Sequence, residues 1–166
     1  MALSVYLLRH GRAEAGGSKA DADRALTEEG QAEVQAAARA LGLQGVTFDW
    51  GLSSPLLRAK QTAELVWKEL GLSAPLETVK ALACGAAPAA VVAEIARVAD
   101  DGAVLVVGHM PDLVHVAGYL LRPDGGSIAG FVPGAMIRID FANGARKGAG
   151  RLEWMRSPSE IATSSR

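Results

Sequence analysis

The sequence predicts a single α/β domain in which helices flank both faces of a mostly parallel central sheet, a three-layer arrangement. Short apolar runs typical of buried strands alternate with segments whose apolar residues recur every three or four positions. A chain of 166 residues is long enough to bury one sizeable core, and no linker-like stretch divides it. We therefore expect one domain over residues 1–166, with a poorly ordered polar tail from about Ser157.

The first strand and helix have clear boundaries in the sequence. Leu3–Leu8 is rich in large apolar residues and predicts a buried strand, and the small polar residues 12–26 predict a loop. Thr27 is the expected N-cap of a helix with acidic residues in its first turn. This helix should extend to about Leu41 and end at Gly42.

A second strand and helix follow directly. Phe48–Ser53 predicts a short strand, and Ser54 and Pro55 are the expected N-cap and first residue of the next helix. Apolar residues at three- and four-residue steps give that helix one buried face, and Gly71 should end it. Residues 76–80 predict a further short strand.

The second half of the chain continues the alternation. A loop and an alanine-rich helix are expected over residues 81–100, before the clearest buried strand, Ala103–Val107. A helix should follow over Asp112–Leu121. Ala135–Phe141 and Arg151–Met155 predict the last two strands.

The composition argues against several functional classes. The 17 basic and 18 acidic residues nearly balance, so charge gives no reason to expect nucleic acid or a membrane as a partner. The one cysteine, Cys84, excludes an intramolecular disulfide and a cysteine-based zinc cluster, and we expect it to be a small buried residue. Because the chain has neither a long apolar run nor a signal-peptide pattern, we expect a cytoplasmic protein.

Positively charged or protonatable side chains follow three predicted strands, at the points where the strands end. Arg9 and His10 come after the first strand, Arg58 lies in the first turn of the helix after the second, and His109 follows a later strand. Since the carboxyl ends of parallel strands lie at one edge of the sheet, we expect these groups to lie close together. Gly11 allows the backbone to approach a ligand closely.

This set of residues fits the transfer of a phosphoryl group. Two arginines, a protonated imidazole and a helix N-terminus together balance a phosphoryl dianion. A neutral imidazole can attack phosphorus in line and form a phosphohistidine, which divides the reaction into two steps. His10, held between the strand end and Gly11, is the better nucleophile, and His109 is the better protonated clamp. The two roles remain exchangeable on this reasoning alone.

Plainer interpretations exist for each residue taken singly. An Arg-His-Gly tripeptide is common by chance, and a lone histidine at a strand end is more often structural. A metal site built from His10, His109 and His115 would lack an ordered carboxylate partner. We therefore expect no metal and no other cofactor, and we assign no role to His115.

Four segments resemble the histidine phosphatase superfamily, also known as the phosphoglycerate mutase-like family. They occur in the family order at Leu8–Gly11, Arg24–Gly30, Ser53–Ala63 and Gly108–His109. The resemblance implies that His10 becomes phosphorylated. It also implies that Arg9, Arg58 and His109, with the backbone at Gly11, complete the phosphate pocket.

Within this superfamily the chain is most similar to the small bacterial phosphohistidine phosphatases of the SixA type. It is too short for the cap insertions of larger members, and Ala13 stands where many members carry Ser or Thr. The segments Leu82–Gly85 and Trp154–Pro158 also resemble that branch. The resemblance implies a partner that carries phosphohistidine, in a phosphorelay or phosphotransfer system. Arg24 would either contact such a phosphoprotein or anchor its own loop.

The chain departs from the superfamily at the general acid. Most members protonate the leaving oxygen with Glu or Asp from the segment after the third strand, but residues 81–93 contain no carboxylate. An alkoxide leaving group needs such a proton, whereas the leaving nitrogen of a phosphoramidate can take one from solvent or a weak donor. Glu14, Asp21 or Asp23 could donate from the first loop, although solvated loop residues are the more common case.

We therefore expect an enzyme that hydrolyses phosphohistidine on a protein through a phospho-His10 intermediate. One alternative is a small-molecule phosphomonoesterase with the same pocket and an acid from the first loop. A mutase is disfavoured because the acid and the insertions are missing. A second alternative is a phosphate- or phosphohistidine-binding module, which would need the positive pocket but would form no adduct on His10.

Overall fold

A six-stranded sheet forms the centre of the molecule. The computed structural model describes residues 2–17, 19–126, 128 and 130–164. The strands in these residues are β1 (Leu3–Arg9), β2 (Trp50–Ser53), β3 (Leu76–Thr78), β4 (Gly102–Gly108), β5 (Met136–Phe141) and β6 (Arg151–Arg156). They lie in the order β3-β2-β4-β1-β5-β6. The first four are parallel, whereas β5 and β6 pair antiparallel, so the predicted mostly parallel α/β sheet is confirmed.

Helices cover both faces of the sheet. In the described part of the chain they are α1 (Glu28–Leu43), α2 (Leu57–Leu70), α3 (Pro88–Val98), α4 (Asp112–Leu121) and α5 (Pro158–Thr163). Side chains alternate across β1, so that Val5 and Leu7 join a core with α3 and α4 while Tyr6 and Leu8 join one with α1, α2 and α5. Among the residues described, no helix is long and apolar enough to cross a membrane.

The end of α1 differs from the prediction. Thr27 is the N-cap, as expected, and its hydroxyl accepts a hydrogen bond from Gly30 N at 2.9 Å. The helix continues through Gly42 to Leu43, so the expected stop at Gly42 is wrong. The glycine that ends the helical path is Gly45, whose φ of 82° lies in the left-handed region.

The start of α2 is also displaced. The helix begins at Leu57 with Leu56 as N-cap, so the assignment of Ser54 and Pro55 as N-cap and first helical residue is wrong. Ser54 still belongs to the strand end, because its N–H donates to Val107 O at 3.0 Å. Its hydroxyl oxygen accepts from Leu56 N at 3.1 Å and stabilises the turn between strand and helix.

The C-terminal segment is helical over a stretch where the sequence analysis expected a poorly ordered tail. Ser157 and Glu160 form a reciprocal capping box at the start of α5. Ile161 is buried against α1, which gives this short helix an apolar anchor. The expectation is therefore wrong for Pro158–Thr163, while residues 165 and 166 lie outside the described residues.

Candidate active site

Three neighbouring strand ends meet at the candidate active site. The strand β4 lies between β1 and β2, and its register pairs Arg9 with Gly108. His10 and His109 are the next residues on the two strands, and their ring centroids lie 5.2 Å apart. On the other side of β4, Ser53 pairs with Val107, which places Ser54 beside His109. The strand-end rule therefore brought the two histidines together as predicted.

One ring nitrogen of His10 donates a hydrogen bond, and the other accepts one. Its Nδ1 lies 2.8 Å from the carbonyl oxygen of Gly11, which can only accept, so Nδ1 carries the proton. Its Nε2 accepts a hydrogen bond from Arg58 Nε at 3.3 Å. Burial, followed by repulsion from His109 and Arg58, lowers the pKa of His10 to about 4. At neutral pH His10 is therefore an uncharged imidazole with a lone pair on Nε2.

The guanidinium of Arg58 spans the pocket from His10 to the first loop. Arg58 is the second residue of α2 and is buried. Its Nη1 donates to the carbonyl oxygen of Asp21 at 2.8 Å, and its Nη2 lies 3.2 Å from the Asp21 carboxylate. The end of the side chain that faces away from His10 is therefore held by Asp21.

Two buried polar atoms of the pocket have no hydrogen-bond partner in the described residues. They are Nε of Arg9 and Nδ1 of His109. The rest of each side chain is anchored, since Arg9 Nη1 donates to Phe131 O at 2.8 Å and His109 Nε2 lies 2.6 Å from Ser54 Oγ. Unpaired buried polar atoms are costly, and the oxygens of a phosphoryl group would accept from Arg9 Nε, and from His109 Nδ1 in the tautomer that carries its proton there.

The charge of His109 differs from the expectation of a protonated clamp. Burial, followed by repulsion from Arg58, lowers the pKa of His109 to about 4, so the ring is neutral at pH 7 in the protein alone. A phosphoryl dianion beside the ring would favour its charged form and raise this pKa. His109 can therefore act as a cationic clamp only once an anion is bound.

The backbone at Gly11 is held by a residue that the sequence analysis did not single out. Gly11 N–H donates to Thr62 Oγ1 at 3.1 Å, and the Thr62 hydroxyl donates to Arg58 O at 2.7 Å. A Cβ on Gly11 would lie 2.9 Å from Val34 Cγ2, so this glycine lets the backbone pack closely against α1, whereas the expected close approach to a ligand stays a prediction. Thr62 follows Arg58 by four residues, and this spacing on one helix face is the pattern that could have identified it.

The three carboxylates of the first loop have different surroundings. Glu14 accepts a hydrogen bond from a backbone N–H of its own loop and pairs with a lysine. Asp23 is exposed. Of the three, Asp21 reaches the pocket, because it contacts Arg58. The side chain of Arg24 donates to Glu14 O at 2.6 Å and to Asp21 at 2.7 Å, so it anchors the loop.

Cys84 is exposed, not buried as expected. The loop that carries it turns outward at Gly85, whose φ is 89°. Asp112 holds this turn, because its carboxylate accepts from the N–H groups of Gly85 and Ala86 at 2.9 and 3.1 Å. The Cys84 sulfur lies 3.9 Å from Arg58 Nη2, at the edge of the pocket.

His115 lies apart from the chemistry of the pocket. It is an exposed residue of α4, in agreement with the absence of an assigned role. Across the described residues, no group of three or more His, Cys, Asp or Glu side chains is arranged to hold a metal ion.

Fold and pocket together bring two histidines and two arginines to the edge of an α/β sheet, an arrangement suited to binding a phosphoryl group. Comparison with known proteins gives the family of the chain. The family model of the histidine phosphatase superfamily (branch 1) matches residues 5–83. The phosphohistidine phosphatase SixA of Escherichia coli K12 is 30% identical over 163 residues, which cover 96% of each chain. The chain belongs to the histidine phosphatase superfamily, and these similarities support phosphatase activity.

Solved structures and a second relative agree with this assignment. A structure of the protein histidine phosphatase SixA complexed with tungstate superimposes with a TM-score of 0.84 and 28% identity, covering 95% of this chain and 99% of the other. A 2,3-bisphosphoglycerate-dependent phosphoglycerate mutase from Methylobacterium radiotolerans is 43% identical over 76 residues. That match covers 42% of this chain and 34% of the mutase, so the similarity to SixA is the more complete one.

Proposed function

We propose that this protein removes the phosphoryl group from phosphohistidine on a partner protein. In the first step, Nε2 of His10 attacks phosphorus while Arg9, Arg58 and His109 bind the phosphoryl oxygens. The bond from phosphorus to the substrate nitrogen breaks, and a phospho-His10 intermediate forms. Water then attacks this intermediate, which releases inorganic phosphate and restores His10.

The observation that carries the proposal is that, among the residues the structure describes, no protonated acid lies next to the nucleophile. Residues 81–93 contain no carboxylate. Hydrogen bonds from Arg24 and then Arg58 hold the pKa of the Asp21 carboxyl below its usual range, so this group is ionised at neutral pH. An alkyl phosphate must expel an alkoxide of high pKa, which needs a proton donor, whereas phosphohistidine expels an imidazole. The pocket is thus better matched to a phosphoramidate.

The most similar proteins support the same choice. SixA of Escherichia coli bears the name of a phosphohistidine phosphatase and matches this chain from end to end. The superimposed SixA structure is complexed with tungstate, an oxyanion, which fits the role of the arginines and histidines as an anion pocket. We propose, as the sequence resemblance implies, that the partner is a protein of a phosphorelay or phosphotransfer system, and we propose the cytoplasm as the site of action.

The test is a paired rate comparison. Purified protein is given a phosphohistidine-bearing peptide and, separately, glycerol phosphate, an alkyl phosphate whose leaving group needs a proton donor, and His10→Ala serves as the control in both assays. We expect fast loss of phosphohistidine, slow ester turnover and no activity in His10→Ala. Strong His10-dependent ester turnover without phosphohistidine turnover would instead identify a small-molecule phosphomonoesterase.

Trapping the intermediate separates an enzyme from a binding module. Rapid acid-free quenching and mass spectrometry should detect one phosphoryl group on wild-type protein, located at His10. A module that only binds phosphohistidine would retain the peptide and carry no adduct. The same assay in the presence of a chelator should give an unchanged rate, and strong inhibition would point to a metal-dependent reaction.

A further inference from the structure

The carboxylate of Asp21 lies where an anion is unexpected, at the edge of a pocket that binds a phosphoryl dianion. Arg58 Nε contacts His10 Nε2, and the opposite end of the same guanidinium contacts Asp21. Because attack on phosphorus is in line, the leaving atom lies on the side of the phosphoryl group away from His10. Asp21 is therefore close to the leaving group.

The Asp21 carboxylate is fixed in position and still has room for another partner. One oxygen accepts from Arg24 Nη1 at 2.7 Å, and the other lies 3.2 Å from Arg58 Nη2. A carboxylate offers about four acceptor positions, and 60% of the Asp21 side chain remains exposed. It can accept a hydrogen bond from a substrate without releasing either arginine.

We infer that the Asp21 carboxylate accepts the ring N–H of the substrate phosphohistidine and selects imidazole leaving groups over anionic ones. This inference rests on the proposed function. An imidazole phosphorylated on one nitrogen can carry a proton on the other, and a nearby anion stabilises that form. A leaving group that bears a carboxylate or an ester oxygen offers no such donor and is repelled.

The transfer balances without an added acid. The lone pair of His10 Nε2 forms the new bond to phosphorus, and the electron pair of the breaking P–N bond stays on the substrate nitrogen. The substrate ring keeps its other proton, held by Asp21, and departs as neutral imidazole. His10 keeps its own Nδ1 proton, held by Gly11 O. Each ring thus has an acceptor for its distal N–H, so an ionised carboxylate serves here in place of a protonated one.

Asp21→Asn is the test variant, because it keeps the shape of the side chain and removes its charge. We expect kcat/KM for a phosphohistidine peptide to fall about 10- to 100-fold, the range for loss of a charge-assisted hydrogen bond. Turnover of p-nitrophenyl phosphate should be unchanged or faster. Asp23→Asn removes the same charge from the same turn at an exposed position, and it should change neither rate.

The pH profile gives a readout that a purely structural role would not change. In the wild type, kcat for the phosphohistidine peptide should fall at alkaline pH as the substrate ring bound beside Asp21 loses its proton. Asp21→Asn should move this fall to lower pH, because the anion that favours the protonated ring is gone. Asp21→Glu, which keeps the charge, should move the alkaline fall part of the way back to its wild-type pH.

The outcomes separate this inference from the proposed function. If wild-type protein does not prefer phosphohistidine, the proposed function fails, and the inference fails with it. If the wild type prefers phosphohistidine and Asp21→Asn lowers the turnover of both substrates by the same factor, Asp21 only positions Arg58 and the inference is wrong. Unchanged rates in a variant with a wild-type thermal midpoint would overturn it as well.

Discussion

At the scale of single residues, burial keeps both pocket histidines uncharged at neutral pH in the protein alone. Burial is the largest cause of the low pKa of both His10 and His109. In the proposed reaction, this leaves Nε2 of His10 free of a proton and able to attack phosphorus at neutral pH. In that reaction, positive charge on His109 develops only beside the bound dianion, where it stabilises the transferring group.

Thr62 gives the first test at this scale. Thr62→Val keeps the side-chain volume but leaves the buried Gly11 N–H without its acceptor. Because Gly11 O holds the ring of His10, we expect kcat/KM to fall about tenfold, the effect of one lost buried hydrogen bond. Thr62→Ser retains the hydroxyl and should retain most of the activity. Equal rates for the Val and Ser variants would contradict this role.

The pocket residues that sequence analysis identified differ from those it missed in how they are brought to the site. Arg9, His10 and His109 stand at or directly after predicted strand ends. Arg58 lies in the first turn of the helix after a strand, so the parallel-sheet rule brings all four to one edge. Thr62 and Ser54 act through hydrogen bonds to other pocket residues. Such partners depend on tertiary distances, which hydrophobic periodicity does not encode.

At the scale of elements, a single buried carboxylate joins α4 to the loop that borders the pocket. Asp112 is the first residue of α4, where negative charge suits the helix dipole. Its carboxylate accepts from Gly85 and Ala86 in the loop before α3. The position of Cys84 at the edge of the pocket follows from this connection.

Removing this connection is the second test. Asp112→Ala leaves two loop N–H groups without an acceptor, and we expect it to lower the free energy of unfolding by about 1–3 kcal/mol. Amide hydrogen exchange at Gly85 and Ala86 should accelerate more than exchange in β4. The matched variant Asp112→Asn keeps an acceptor oxygen, so its free energy of unfolding should fall by less. Unaltered exchange at Gly85 in Asp112→Ala would exclude the connection.

Element boundaries show where local sequence rules are overruled. Gly71 ends α2 in the left-handed conformation that the rule requires, with a φ of 62°. Gly42 looks equally suited to end α1, but the helix passes through it to Leu43. Ser54 looks like an N-cap, yet its N–H completes the sheet and its hydroxyl lies against His109. A second glycine, Gly45, ends the path of α1. The contacts of Ser54 with the sheet and with His109 displace the start of α2.

At the scale of the whole molecule, strand order is the property that creates the site. In the sequence β2 and β3 precede β4, but in the sheet β4 lies between β1 and β2. This arrangement makes His10 and His109 neighbours, although they lie 99 positions apart in the sequence. Sequence analysis predicted a common edge for the strand ends, but local patterns contain no information on which strand becomes whose neighbour.

The buried histidines also couple the fold to pH, which provides the final test. Both pKa values are about 4 in the folded protein, and an unfolded histidine has a pKa near 6.5. The unfolded chain therefore binds more protons between these values. Stability is greatest above pH 6.5 and is lost as pH falls towards 4, by on the order of 3 kcal/mol per ring as an upper limit.

Urea unfolding at pH 7 and pH 5 measures this dependence. The exposed carboxyl groups with lowered pKa values, among them Asp21, affect stability mainly at or below their ordinary pKa, so the histidines dominate the range from pH 7 to 5. The variant with His10→Gln and His109→Gln should lose most of the change in unfolding free energy between the two conditions. His115→Gln, at an exposed position, should keep the wild-type difference in unfolding free energy between pH 7 and pH 5. A double variant with the wild-type dependence would show that the two rings are not buried as neutral groups.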